Sequence, residues 1–298
     1  MDSFLCFHID RAVQDALQED LPAGDITTEL LFPNDWTAEA SIVAKTACVV
    51  AGLQVARAVF TRLDNSVSFL AHHPDGASVK EGTRVATVTG RVKPLLMAER
   101  TALNFLQRLS GIATLTAQCR QAVRGYPVAI LDTRKTTPGL RILEKWAVSL
   151  GGGVNHRCSL SDGILIKDTH LAFLTARGQT LRQICQLAKE KAPHRFRVEV
   201  EVETLEQVQQ ALEAGVESIL LDNMSPAVVR EAVQLVKGRA YVEVSGGITL
   251  ANIREMAQAG VNAISVGALT HSAPFIDFAM EGTPLSLNER LAGETQTL

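Results

Sequence analysis

Cysteine is sparse in this sequence and poorly placed for cross-linking. The five residues, Cys6, Cys48, Cys119, Cys158 and Cys185, are odd in number and scattered, which argues against a disulfide framework. With no C-x-x-C pair and no His cluster at zinc-ligand spacing, a structural zinc site is not expected either. A reducing cytoplasmic compartment fits this usage. Charge of one sign is also lacking: 29 Lys plus Arg against 32 Asp plus Glu gives a formal net charge of -3. That balance offers no sequence-wide case for binding nucleic acid or an anionic membrane. The longest stretch without a charged residue, Met256 to Ile276, contains Gln258, Asn262, His271, Pro274 and two glycines, and does not read as a membrane span. The opening MDSFLCFHID lacks a basic segment followed by an apolar one, so no signal peptide is expected. Low-complexity tracts and long like-charge blocks are missing as well. What remains is 298 residues, 46% hydrophobic, with room for one large or two ordinary domains around ample cores.

The first periodic element places Ile9, Val13, Ala16 and Leu17 on one face and Arg11, Gln14, Asp15 and Gln18 on the other, an amphipathic helix. After the break at Pro22 to Asp25, β-favouring runs at Ala40 to Val43, Val67 to Leu70 and Arg84 to Val88 are separated by turn chemistry such as PDG at 74–76. Residues 35–95 therefore predict a small, mostly antiparallel sheet. From Leu95 to about Cys119 a helical stripe of Leu96, Leu103, Leu106, Leu109 and Ala113 is opposed by a polar one of Arg100, Asn104, Gln107 and Arg108. Beyond residue 125 the pattern becomes strand and helix in alternation. Apolar runs end at Asp132, Lys167, Glu201, Asp222, Ser245 and Gly267, each followed by helical periodicity. AGVESILLD at 214–222 and AGVNAISVG at 259–267 form a faint repeat, and Thr204 with Gln207 predicts a capping box. Six such units without a G-x-G-x-x-G turn favour a β/α barrel over a dinucleotide-binding sheet.

A barrel gathers its strand ends at one mouth, and these ends carry DTRK at 132–135, Lys167, Glu201, Asp222, SGG at 245–247 and Gly267-Ala268. Backbone N–H groups at 245–247 and 267–268 suit a phosphate, although glycine after a strand is also an ordinary turn. Arg134, Lys135 and Arg141, joined by His156 and Arg157, suit a polyanion, while any single Arg among them is as well explained by a solvated surface. Glu201 and Asp222 suit ribose hydroxyls or Mg²⁺, or equally salt bridges to Arg134 or Lys167. A lone His170 is more often a structural hydrogen-bonding residue than an acid or base. There is no Ser-His-Asp nucleophile pattern.

At these residues the sequence resembles the quinolinate phosphoribosyltransferases, or carboxylating nicotinate-nucleotide pyrophosphorylases. The motifs run in order through most of the chain: EDLPAGDITT at 19–28, ERTALNFLQRLSGIAT at 99–114, DTRKTTPGLR at 132–141, EKWAVSLGGGVNHR at 144–157, LSDGILIKDTH at 160–170, VEVEVETL at 198–205, LLDNM at 220–224, EVSGGI at 243–248 and ISVGALTHSAP at 264–274. The resemblance implies an incomplete, roughly seven-stranded β/α barrel over 113–274. It also implies an N-terminal α/β sandwich domain over 1–112, on which a tail at 275–298 packs. It implies joining of quinolinate to 5-phosphoribosyl 1-pyrophosphate with Mg²⁺, giving nicotinate mononucleotide, pyrophosphate and CO₂ for NAD synthesis. Lys135, Glu201 and Asp222 would be catalytic. Arg100, Thr133, Arg134, Lys135, His156, Arg157, Lys167, His170, Glu201 and Asp222 would bind substrate. Ser245, Gly246, Gly247, Val266, Gly267 and Ala268 would bind phosphate, and Glu201 and Asp222 would meet the metal directly or through water or substrate. A homodimer with shared sites is implied, Arg100 completing the partner's carboxylate site. One departure is Thr169, where the family usually has Asn, which bears on the contacts of His170. Alternative readings are nicotinate phosphoribosyl transfer, a transport-linked homologue acting on another pyridine-like or nucleotide substrate, and a carrier module suggested by the biotinyl-like DGASVKEGTRVATVTG at 75–90.

Overall fold

The computed structural model describes residues 3–34 and 36–284, so most of the 275–298 tail lies outside the described residues. The chain divides into two compact units, one made of residues 1–115, 138–151 and 273–298 and the other of 116–137 and 152–272.

In the first unit, α1 (Ser3–Asp20) buries Ile9, Ala12, Val13 and Leu17, the face that the periodicity predicts except that Ala12 takes the inward place of Ala16. After α2 (Ile26–Leu31), β1 (Thr37–Ala44) enters the sheet with its buried and exposed residues alternating, and a short β2 (Cys48–Val49) leads into α3 (Leu53–Leu63). That helix buries Val55, Ala56, Val59 and Phe60. The PDG turn contributes more than a reversal, because the Asp75 carboxylate accepts from the N–H groups of Gly52, Leu53 and Gln54 and so satisfies the start of α3. Next come β3 (Ser68–Ala71), β4 (Ser78–Val79), β5 (Arg84–Arg91) and the long α4 (Val92–Ala122). Strands β3, β5, β1 and β12 (Phe278–Pro284) make a four-stranded antiparallel sheet, while β2 and β4 pair separately. Helix α5 (Arg141–Leu150) also belongs to this unit and carries Arg141 at its start. Gly111 lets α4 lie against the following chain: a Cβ there would stand 1.9 Å from the Pro274 carbonyl oxygen.

The second unit is built from β6 (Ala129–Leu131), β7 (Ile164–Ile166), α6 (Asp168–Thr175), α7 (Leu181–Lys191), β8 (Val198–Val202), α8 (Leu205–Glu213), β9 (Ser218–Asp222), α9 (Pro226–Val236), β10 (Tyr241–Ser245), α10 (Ile253–Gln258), β11 (Ala263–Ser265) and α11 (Ala268–His271). All six expected strands are present and form one parallel sheet in the order β6-β11-β10-β9-β8-β7. The place of a seventh strand is taken by a single parallel bridge between Leu131 and Val154, so β6 and β7 do not close on each other among the described residues. The alternation of strand and helix reflects local chemistry: Thr204 with Gln207 and Thr180 with Gln183 form capping boxes that start α8 and α7, and the Ser225 hydroxyl with Pro226 starts α9. Strand residues one apart point to opposite faces, which sets Glu199 and Glu201 together on β8, Leu220 and Asp222 on β9, and Glu243 and Ser245 on β10.

Candidate active site

The C-terminal ends of these strands surround a cavity of about 440 Å³ within the second unit. It is lined by Thr133, Arg134, Lys135, His156, Arg157 and Lys167 on its cationic side. Glu201, Asp222 and Ser245-Gly246-Gly247 complete the mouth, with Leu165, Leu220, Asn223, Glu243 and Ser265 filling the remainder. Eleven of the residues expected from sequence are thus brought together.

The cations are positioned by the backbone beneath them. Asp132, fully buried at the end of β6, accepts the His156 N–H at 2.8 Å and so ties the GGGVNHR segment to the strand. Arg157 donates to the Gly163 carbonyl at 2.9 Å, which fixes its guanidinium. Burial, followed by the charge of Arg134, lowers the Arg157 pKa, with Glu199 opposing. The Arg134 Nε is buried without a hydrogen-bond partner. Two guanidiniums repelling each other in a cavity, one with an unmet donor, favour a ligand that brings more than one negative charge.

Where the cations meet the carboxylates, Lys167 stands 3.4 Å from Glu201. Burial raises the Glu201 pKa; Lys167 opposes the shift and the Asp222 charge adds to it. A carboxylate whose charge is disfavoured by burial and by a neighbouring carboxylate, both bearing hard oxygen donors, fits a divalent cation at this place. Gly246 is held at φ +86°, and a Cβ there would fall 2.2 Å from Asn223 Oδ1, so the loop approaches the strand ends as no side-chain-bearing residue could. Asn223 itself has positive φ and donates to Asp222 at 2.7 Å.

Below the mouth, His156, Glu199 and Glu243 place one ligand-type atom each within 4.8 Å of one another, a set of donors able to coordinate a divalent metal. The buried Cys48, Cys119 and Cys185 are not nucleophiles, for burial pushes each thiol up to about 11.

Some expected residues lie elsewhere. Val266, Gly267 and Ala268 do not line the cavity, although Gly267 approaches the Lys135 side chain closely enough that a Cβ would be 3.1 Å from it. His170 is exposed and its Nδ1 accepts the Lys167 N–H at 2.9 Å, a capping contact at the start of α6. Thr169 leaves that contact intact. Arg100 is exposed on α4 in the first unit. Its neighbour in the polar stripe, Arg108, instead forms an ion pair with the fully buried Glu144 at 2.8 Å.

Comparison with known proteins decides the family. Residues 25–110 match the quinolinate phosphoribosyl transferase N-terminal domain and residues 112–281 its C-terminal domain. The chain belongs to the quinolinate phosphoribosyltransferase family. It is 43% identical over 265 residues to a probable nicotinate-nucleotide pyrophosphorylase [carboxylating] of Bacillus subtilis, covering 89% of this chain and 90% of that protein. A quinolinate phosphoribosyltransferase [decarboxylating] of Nicotiana glauca is 38% identical over 92% of this chain and 82% of its own length. The crystal structure of NadC from Streptococcus pyogenes superposes with a TM-score of 0.87 at 43% identity, over 94% of this chain and 98% of that one. Membership extends to both units, which leaves no room for a free-standing carrier module at 75–90. No helix among the described residues is long and apolar enough to cross a membrane.

Sequence reasoning missed Glu199, Asn223, Glu243 and Ser265. For the two glutamates a signal was present: Glu between valines in VEVEV and YVEVS shares a face, by the period of two, with Glu201 and Ser245. Asn223 left no such trace.

Proposed function

We propose that the cavity joins quinolinate to 5-phosphoribosyl 1-pyrophosphate and then decarboxylates the product, the chain acting as a pentosyltransferase of NAD biosynthesis. The observation that carries this reading is the pair of mutually repelling guanidiniums, Arg134 with its buried unmet Nε and Arg157, facing a carboxylate side across one cavity. A pyridine dicarboxylate supplies two negative charges there; a monocarboxylate supplies one. Arg134, Lys135, His156, Arg157 and Thr133 hold the two carboxylates. Glu201 and Asp222 hold the ribose hydroxyls and Mg²⁺, which supplies charge compensation for the pyrophosphate group when bound. Lys167 meets phosphate, and the backbone of 245–247, with 266–268 beside it, receives the 5-phosphate.

The chemistry follows from these roles. Departure of pyrophosphate leaves oxocarbenium character on the ribose, and the fixed carboxylates of Glu201 and Asp222 stabilise that positive charge while Lys167 stabilises the leaving group. Attack by the ring nitrogen makes a pyridinium. The adjacent positive nitrogen then stabilises the electron pair left on C2 when the 2-carboxylate leaves as CO₂, and a proton, supplied ultimately by solvent, forms the C2–H bond, so glycosylation precedes decarboxylation.

The exposed Arg100 is assigned to the neighbouring subunit's carboxylate site, in a homodimer. His170 acts through the Lys167 backbone, and the scattered free cysteines suit a cytoplasmic enzyme. An end-point assay with quinolinate, phosphoribosyl pyrophosphate and Mg²⁺ tests the reaction; nicotinate mononucleotide and CO₂ are expected, and turnover of nicotinate at an equal rate would overturn it. Co-expressing Arg100→Ala and Lys135→Ala chains tests the shared site: the mixed dimer should exceed either parent homodimer in activity, and no gain would refute it.

A further inference from the structure

Thr270 carries a buried hydroxyl to which no step above gives a role. The residue lies on α11, fully buried, and its Oγ1 donates to the Lys135 carbonyl in the loop after β6 at 2.8 Å. The ordinary use of a helical threonine is a bond back to its own preceding turn, and the Gly267 carbonyl is there to receive one, at 3.3 Å. A hydroxyl has one proton, and the nearer acceptor takes the larger share of it. The bond therefore runs mainly across to Lys135, between two segments of the second unit. The other half of the Lys135 backbone is held too, for its N–H donates to Thr133 Oγ1 at 3.0 Å. With the N–H and the C=O both engaged, the rotations on either side of the Lys135 Cα lose their freedom, and the direction of its Cα–Cβ bond is set. The stem then passes over Gly267, where an added Cβ would stand 3.1 Å from Lys135 Cδ. The glycine before α11 leaves room for the stem, and the helix itself grips the backbone.

From this geometry we infer that Thr270 is a positioning residue for recognition of the pyridine acid: its hydroxyl holds the Lys135 backbone so that the ammonium meets the carboxylates in one orientation. The inference rests on the assignment of Lys135 to those carboxylates above. Thr270 does not line the cavity, whereas Lys135 does, so Thr270 acts through the lysine and not on substrate. Among the cavity cations a lysine has the most to gain from such support. An arginine presents a planar fork that fixes its own donors, while the lysine ammonium is a point charge at the end of a flexible four-carbon stem. Holding the root of that stem at the backbone and giving it a bare glycine to lie on removes freedom that binding would otherwise have to remove. The same bond joins the carboxylate side of the cavity to the 266–268 loop that is assigned above to the neighbourhood of the 5-phosphate.

A double-mutant cycle tests it. Calorimetry measures quinolinate affinity in wild-type protein, Thr270→Val, Thr270→Ser, Lys135→Ala, and Thr270→Val combined with Lys135→Ala. Valine keeps the buried shape and removes the hydroxyl, so affinity should fall about tenfold, the scale of one lost hydrogen bond. Serine keeps the hydroxyl and should bind within about twofold of wild type. In the Lys135→Ala background the valine should change affinity by less than about twofold, since no ammonium is left to position. A purely structural role would lower Tm in both backgrounds and leave affinity alone. Wild-type affinity in Thr270→Val, serine no better than valine, or a tenfold loss that persists without the lysine would overturn the inference. If Lys135→Ala alone binds quinolinate as wild type does, it is the assignment of Lys135 to the carboxylates that fails, and the inference falls with it. Thr270→Ala takes the place of the valine variant if that does not fold. Where Lys135→Ala binds too weakly for a cycle, crystal structures of the valine and serine variants decide. Lys135 should leave its place over Gly267 in the first and keep it in the second, and an unmoved Lys135 in the valine variant would overturn the proposal.

Discussion

The two units use charge in opposite ways. In the first, several charged groups are answered within the unit: Arg108 pairs with Glu144, Arg91 with Asp64, Lys93 with Glu29, and Asp75 takes three helix N–H groups. The second gathers charges that trouble one another. Arg157 and Arg134 repel, Asp222 disfavours ionisation of Glu201, and Arg134 Nε and Glu243 Oε1 are buried without hydrogen bonds. Charge that completes itself stabilises a fold, whereas charge left incomplete marks the place of a ligand.

The largest effect that would test this contrast is on stability in the first unit. Arg108→Ala leaves the Glu144 carboxylate buried, and removing one partner of such a pair costs about 3–5 kcal/mol. Thermal unfolding should show that loss in full. The corresponding change in the second unit should behave differently: Arg134→Ala and Arg157→Ala should leave Tm near wild type while weakening quinolinate binding by roughly 2–5 kcal/mol. Calorimetry paired with a melting curve separates the two outcomes, and a large drop in Tm with normal affinity would place these arginines among the structural charges.

A finer test uses Glu201. Its pKa is raised in the folded state, so the fold favours the protonated form: the stabilising contribution is present below the unfolded value and lost as pH rises through the folded one. At neutral pH the ionised group is a cost. Glu201→Gln should therefore raise the Tm of the ligand-free protein slightly at pH 7 and not at pH 4, while kcat falls by about 10²–10³, as for loss of one preorganised electrostatic group. Asp222→Asn should remove part of the same strain and impair Mg²⁺ dependence.

Much of this contrast was legible in the sequence and some was not. The six strands announced themselves because buried parallel strands read as apolar runs, and their polar last residues marked the mouth through the geometry of the barrel. Arg100 and Arg108 looked alike on one helical stripe, yet Arg108 is an internal ion-pair partner, since periodicity gives the face of a residue and not what packs on it. Gly111 sits in a motif that reads as functional and is required by the close approach of Pro274. Asn223 combines a positive φ with the close approach of Gly246, an arrangement between segments distant in sequence.

The central claim is that the repelling guanidiniums are kept for a dianion. Calorimetric titration of the purified protein with pyridine-2,3-dicarboxylate and pyridine-3-carboxylate tests it most directly. The dicarboxylate should bind at least about tenfold more tightly, about 1.4 kcal/mol, and Arg157→Ala should abolish the preference. Equal affinity for the two acids in wild-type protein would contradict the account.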